Sequence, residues 1–172
     1  MDIEYFGIKI TKNEKYKDWL KECYNHAKRS NHPSTHVAAI LIKKDKIILK
    51  GLNAFPPGVI QKKERFKGEN RHVYLNHAER DVIYKAAKKG ISTKNLWMIM
   101  PWLPCIDCAT AIISSGIKKL IVHKQMIEKT SEEWKEELKD ALELLKEAKI
   151  EMVAYDGLIG TKAYMHKKLW DA

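Results

Sequence analysis

A histidine and a glutamate two residues apart, His77 and Glu79 in "NHAERD", and two cysteines three apart, Cys105 and Cys108 in "PCIDC", are the residues of this sequence most suited to holding a metal ion and working beside it. Imidazole nitrogen and thiolate sulfur are the common ligands of tetrahedral zinc. A lone C-x-x-C is weak by itself, since it also fits a thioredoxin-like redox pair or half of a structural zinc site. No second C-x-x-C occurs in the chain, so a four-cysteine site cannot be built from it alone. One histidine and two cysteines leave a fourth coordination position open, as catalytic sites do, whereas a structural site closes that position with protein. His72 or His123 could close it in principle, but neither has the motif spacing. Glu79 can face the open position without occupying it, which suits general acid/base work.

These side chains converge only if two helix starts lie on the same side of a sheet. Tyr16, Trp19, Leu20, Cys23, Tyr24 and Ala27 recur at three-and-four spacing and predict an amphipathic first helix. "VAAILI" and "KIILKGL" predict a hairpin joined at Lys43, Lys44 and Asp45. Residues 54–76, with two prolines and two glycines, read as a long loop of the kind that carries function. A second helix begins at His77 and stops at Gly90; "LWMIM" is a buried strand, "CIDCATAIISSG" a helix stopped by Gly116, and "IKKLIVH" a strand. Thr130 and Glu133 suggest a capping box for a fourth helix with the apolar face Trp134, Leu138, Ala141, Leu142 and Leu145, and "KIEMVAY" supplies a fifth strand. The expected fold is α/β, one domain over residues 1–172 with its core at about 15–155 and no assignment for the tail 156–172. A hairpin leads into βαβ crossovers, with helices on both faces of the sheet.

With 172 residues and 45% hydrophobic content, the chain can bury a real core. No apolar run reaches the roughly 20 residues of a membrane span, and "MDIEYFGIKITKNEK" lacks the basic-then-apolar pattern of a secretory signal. Three cysteines form no disulfide framework, so the expected compartment is the reducing cytoplasm, with Cys23 a packed thiol. The formal charge of +10 is uneven: seven acids against three lysines in 132–148 leave −4 there and +14 elsewhere. That excess fits a solvated lysine-rich surface or a functional basic face.

"HAE" followed 25 residues later by "PCIDC" matches the H-x-E…P-C-x-x-C signature of zinc deaminases, and the chain resembles that superfamily. The likeness is greatest to deoxycytidylate (dCMP) deaminases. "HPSTHVAAILI" resembles their D-P-S-T-x-V-G-A-V-I-V segment, "GLNAFPPG" resembles G-Y-N-G-F-P-x-G, and "HAERDVIYKAAKKG" resembles H-A-E-R-N-A-I-Y-x-A-A-x-x-G. "PWLPCIDCATAIISSGIKKLIV" continues it, so about residues 20–123 are covered. The resemblance implies a three-layer α/β/α cytidine-deaminase-like fold with a central mixed five-stranded sheet. It further implies one catalytic Zn2+ per chain on His77, Cys105 and Cys108, with Glu79 moving protons at N3 and at the departing amine as water attacks C4. It implies that the Ala78 amide holds the base carbonyl, that Asn53 orients base or sugar, that Ser34 and Thr35 lie near the substrate, and that the protein is a homo-oligomer.

Four positions depart from the family pattern: Ala38 and Ala54 stand for glycine, Leu52 for tyrosine and Asp81 for asparagine. They leave the zinc constellation untouched and bear on the substrate. The expected partner is a small nucleotide, dCMP above others, its phosphate met by Lys62, Lys63, Arg65, Lys67 or Arg71 in the basic loop. Two other classes remain open at this point: a deaminase of another aminated base such as transfer-RNA adenosine, which the basic surface would help, and a zinc-stabilised binding module without catalysis. Glu79 speaks against the last, because a structural zinc needs no proton shuttle.

Overall fold

A computed structural model describes residues 6–67 and 74–172. A central sheet runs in the order β1 (Lys9–Thr11), β6 (Glu151–Tyr155), β5 (Lys119–His123), β4 (Trp97–Ile99), β2 (Ala38–Lys43), β3 (Lys46–Leu52). The first four strands of that order are mutually parallel, while β2 lies antiparallel to both β4 and β3, so the sheet is mixed. Strand residues alternate between two cores. Ala39, Leu41, Met98, Leu120, Val122, Met152 and Ala154 face one layer, and Ala38, Ile40, Ile42, Ile99, Ile121 and Val153 face the other. Both faces being apolar, the central strands read as continuous hydrophobic runs and must be covered on each side.

The first layer holds α2 (Ala78–Lys88), α3 (Ile106–Ser114) and α5 (Glu132–Glu147), which contribute Val82 and Ala86, Ala109 and Ile112, and Leu138, Ala141, Leu142 and Leu145. The opposite layer holds α1 (Glu14–Ala27), which buries Trp19, Leu20, Cys23 and Tyr24, and the short α4 (Lys124–Glu128), which adds Met126. The Asn13 side chain caps α1 by accepting from the Lys15 amide at 3.0 Å. No helix among the described residues is long and apolar enough to cross a membrane.

Two expectations need correction, and the tail without an assignment takes a definite fold. The sheet has six strands in place of five, because β1 joins the edge with Lys9 opposite Val153 and Thr11 opposite Tyr155. Three residues, none of them buried, carry no periodicity that the sequence could reveal. Helix α5 takes Ser131 as its N-cap with no side-chain cap bond, which displaces Thr130 from the capping-box position; the Glu133 side chain lies outside the described residues. The tail folds as a hairpin of β7 (Lys162–Met165) and β8 (Lys168–Asp171), whose Ala163 and Met165 complete the core beside α1.

Candidate active site

The helices α2 and α3 both follow the sheet and both start at the residues singled out by spacing. His77 is the N-cap of α2 and Cys105 the N-cap of α3, each in extended backbone, so their side chains stand at the helix mouths. Cys108 falls one turn into α3 and is buried. A close approach of strand and helix fixes α2: a Cβ on Gly51 would lie 2.5 Å from the Ala78 carbonyl oxygen and 2.7 Å from the Val82 nitrogen. The Asp81 carboxylate, itself buried, accepts from the Leu52 amide at 2.8 Å and from Lys85 Nζ at 2.6 Å, tying the same helix to the end of β3. Ala54 and Asn76 form a bridge that closes the loop back to the start of α2.

The result is a compact donor set. His77 Nδ1 lies 3.4 Å from Cys105 Sγ and 3.6 Å from Cys108 Sγ, and all three ligand atoms fall within 4.8 Å of one another. A tetrahedral ion with Zn–S about 2.3 Å and Zn–N about 2.05 Å demands an S···N edge of about 3.5 Å, and both S···N edges of the set match it. Two helix N-termini point their positive ends at the thiols. Cys105 is pulled down to about 4, first by the Cys108 thiol donating to it and then by His77. Cys108 is pushed up by that same bond and by burial, and His77 is raised by its bond to Cys105. The three groups thus share protons that a divalent cation would displace.

Glu79 is 6% exposed and burial raises its carboxyl above the ordinary value, with His77 opposing. It lines a cavity of about 340 Å3 together with His77, Ala78 and Cys105. Ala78 is the first residue of α2, so its amide has no intrahelical acceptor. Asn53 also lines the cavity, but its side chain holds the facing loop: Oδ1 accepts from Val37 N at 3.0 Å and Ser30 Oγ at 2.7 Å, and Nδ2 donates to Thr35 O at 2.7 Å. One Asn53 N–H is left for a bound molecule. Ser34 and Thr35 line the wall as well, in a turn organised by His32, whose Nδ1 accepts from the Thr35 amide at 3.1 Å. The cavity therefore brings together Ser34, Thr35, Asn53, His77, Ala78, Glu79 and Cys105, with Cys108 buried next to His77 and Cys105.

The basic loop is placed otherwise. Phe66 turns inward against Phe55 and His32, at ring distances of 5.0 and 5.8 Å, and Lys62, Lys63 and Lys67 are exposed. Arg65 lies over Tyr74 and donates to Ile60 O. None of these four lines the cavity, and Arg71 and His72 lie outside the described residues. Nor do Ala38, Leu52, Ala54 or Asp81, so the departures from the family pattern do not reach the cavity wall. Sequence reasoning missed the outer wall, made by Trp102, Leu103, Trp134, Leu138, His166 and Lys167. Trp102 could have been suspected from its place in "PWLPC"; the pair in the tail carried no signal.

The model of the family described as cytidine and deoxycytidylate deaminase zinc-binding region matches residues 13–124. An uncharacterised deaminase from the luxG 3′ region of Aliivibrio fischeri is 28% identical over 138 residues, covering 78% of this chain and 91% of that protein. The deoxycytidylate deaminase of Mus musculus is 29% identical over 125 residues, covering 66% and 69%. The fold resembles that of a dCMP deaminase from cyanophage S-TIM5 in complex with dCMP and dUMP, with a TM-score of 0.64 at 21% identity over 84% of this chain and 98% of that one.

Proposed function

The chain belongs to the cytidine and deoxycytidylate deaminase family, and from that premise we propose that it hydrolyses a cytosine mononucleotide, dCMP above others, to dUMP and ammonia. The observation that carries this reading is the set of His77, Cys105 and Cys108 beside buried Glu79, at the floor of a cavity sized for one nucleotide. The mouse and cyanophage relatives named for dCMP lend support.

Zinc held by His77, Cys105 and Cys108 would supply Lewis acidity and lower the pKa of water toward neutrality. Glu79 takes the proton released as water adds at C4, donates one to N3 of the pyrimidine, and delivers a proton to the exocyclic nitrogen as the C4–N bond breaks. Water and aminopyrimidine go in; carbonyl and ammonia come out. The raised pKa of Glu79 suits a group that must hold a proton and release it within one turnover. The Ala78 amide donates to the base carbonyl, and the remaining Asn53 N–H orients base or sugar. Leu75, Trp102 and Leu103 exclude bulk water, so these contacts act in a low dielectric.

The cavity favours a mononucleotide over a folded RNA, because the hairpin and the start of α5 wall its outer side. Three free thiols suit a cytoplasmic protein. Homo-oligomer formation belongs to the same reading, with exposed Tyr84 on α2 as a contact candidate. The test is ammonia release screened over dCMP, CMP, deoxycytidine, cytosine, guanine and a transfer-RNA anticodon stem. The greatest release is expected with dCMP; release from the RNA alone would overturn the nucleotide reading.

A further inference from the structure

Among the described cavity-lining residues, Glu79 is the only acid and Lys167 the only lysine or arginine. Glu79 is buried at the floor, while His166 and Lys167 are exposed at the mouth. Both belong to the turn between β7 and β8, outside the residues 13–124 that match the family. The turn is fastened to the cavity wall. The Lys167 amide donates to Ser34 O at 2.8 Å, the His166 amide to Thr35 Oγ1 at 3.3 Å, and the Tyr164 hydroxyl to Pro33 O at 3.3 Å, while Tyr164 O accepts from His36 N at 2.8 Å. The His166 ring meets Trp102 edge-on at 6.0 Å. With the backbone committed in this way, the side chains are left over. Neither the Lys167 ammonium nor a ring nitrogen of His166 has a hydrogen-bond or ion-pair partner among the described residues, whereas Lys162 of the same hairpin pairs with Asp171.

We infer that Lys167, with His166 beside it, is the phosphate-binding wall of the cavity and makes the enzyme select nucleoside 5′-monophosphates. This rests on the mononucleotide reading and names the residues that enforce it. A phosphomonoester carries about −1.5 to −2 at pH 7, which one ammonium and one imidazole can meet with charge-assisted hydrogen bonds. A triphosphate would bring charge that no further lysine or arginine among the described lining residues meets. The base end is fixed by Glu79 and Ala78 at the floor, so a phosphate extending from the sugar is carried toward the mouth. Thr35 couples the two ends: its carbonyl accepts from Asn53, and its hydroxyl from the His166 amide.

The test compares kcat/KM for dCMP, deoxycytidine and dCTP in the wild type, Lys167→Asn, Lys167→Arg and His166→Asn. Lys167 has φ +62 and His166 φ +50, and asparagine tolerates this left-handed backbone, so the two asparagine variants remove the side chain's phosphate contact and keep the turn. The preference for dCMP over deoxycytidine should fall about 10- to 100-fold in Lys167→Asn, the size of one charge-assisted hydrogen bond, and largely persist in Lys167→Arg. The loss should lie in KM. An unchanged preference in Lys167→Asn would overturn the inference, as would a wild type that takes dCTP as readily as dCMP. Should the wild type turn over neither dCMP nor deoxycytidine, the functional reading falls, and calorimetry with dUMP and deoxyuridine decides this inference separately. Tighter dUMP binding that Lys167→Asn abolishes supports the wall; equal binding of the two overturns it.

Discussion

Replacing Gly51 by alanine should disable the site from a residue that does not line the cavity. The added Cβ would stand 2.5 Å from the Ala78 carbonyl oxygen, 2.7 Å from the Val82 nitrogen and 2.8 Å from the Val82 Cβ, where ordinary contact begins at 3.4 Å. Two of these three atoms are helix backbone and cannot rotate away. Strand β3 and helix α2 must therefore separate by about 0.9 Å, the difference between 3.4 and 2.5 Å. Helix α2 carries His77 and Glu79, while Cys105 and Cys108 stay with α3, so the shift is taken across the metal site. Overpacking of this kind costs about 1–3 kcal/mol, which lowers Tm by about 2–12 °C in a protein of this length. A misplacement near 1 Å costs about 10²-fold in rate, since such sites tolerate only about 0.5 Å. Calorimetry, zinc content by mass spectrometry and dCMP turnover read the three effects. Gly58→Ala is the control: its Cβ meets nothing within 4 Å and its φ is +85, so it should lower Tm through backbone strain and leave zinc and turnover alone. A Gly51→Ala protein with the wild-type Tm, zinc content and turnover would refute the reasoning.

Cys105→Ala and His77→Ala should each lower zinc content and abolish turnover, because two remaining ligands cannot complete the site; full zinc in both variants would place the metal elsewhere. Glu79→Gln should keep the metal and the fold but lose about 10²- to 10⁴-fold in kcat, measured by steady-state kinetics. Asp81→Ala strands the Leu52 amide and leaves Lys85 Nζ with the Lys50 carbonyl but no ion pair, and should cost about 1–3 kcal/mol in denaturant unfolding, while Asp81→Asn, which keeps an acceptor for Leu52, should cost clearly less. Fully buried His123 donates from Nε2 to Gly157 O at 2.8 Å and accepts at Nδ1 from the Tyr24 hydroxyl at 2.7 Å, so its neutral form is built in. Burial holds its folded pKa below 6.5. The stability tied to the neutral ring is present above the unfolded value of about 6.5 and is lost as pH falls toward the lowered folded value. Tm should drop between pH 7 and 5, with a smaller drop in His123→Asn; parallel profiles would count against this assignment.

The inner half of the site could be read from the sequence, because its residues are set by short-range spacing at helix starts: His77 and Glu79 two apart, Cys105 and Cys108 three apart. The strands of the central sheet were equally readable where burial on both faces produced apolar runs such as "VAAILI". What escaped depended on long-range placement. Strand β1 is three residues long and forms only by pairing with β6. The tail hairpin turns at His166 and Lys167, both with positive φ, where a two-residue turn would normally announce itself by Asn-Gly or Asp-Gly. The cations of residues 62–67 looked like phosphate ligands by charge alone. The inward packing of Phe66 leaves them off the cavity, and the tail supplies the cation at its mouth.

The proposed deamination of dCMP requires His77, Cys105, Cys108 and Glu79 to act together. It is tested most directly by following dUMP and ammonia from dCMP while zinc is removed by chelation and returned in steps. Equal yields of dUMP and ammonia are expected, at a rate proportional to zinc bound per chain and reaching its maximum at about one. A folded protein carrying one zinc per chain that leaves dCMP unchanged would contradict it.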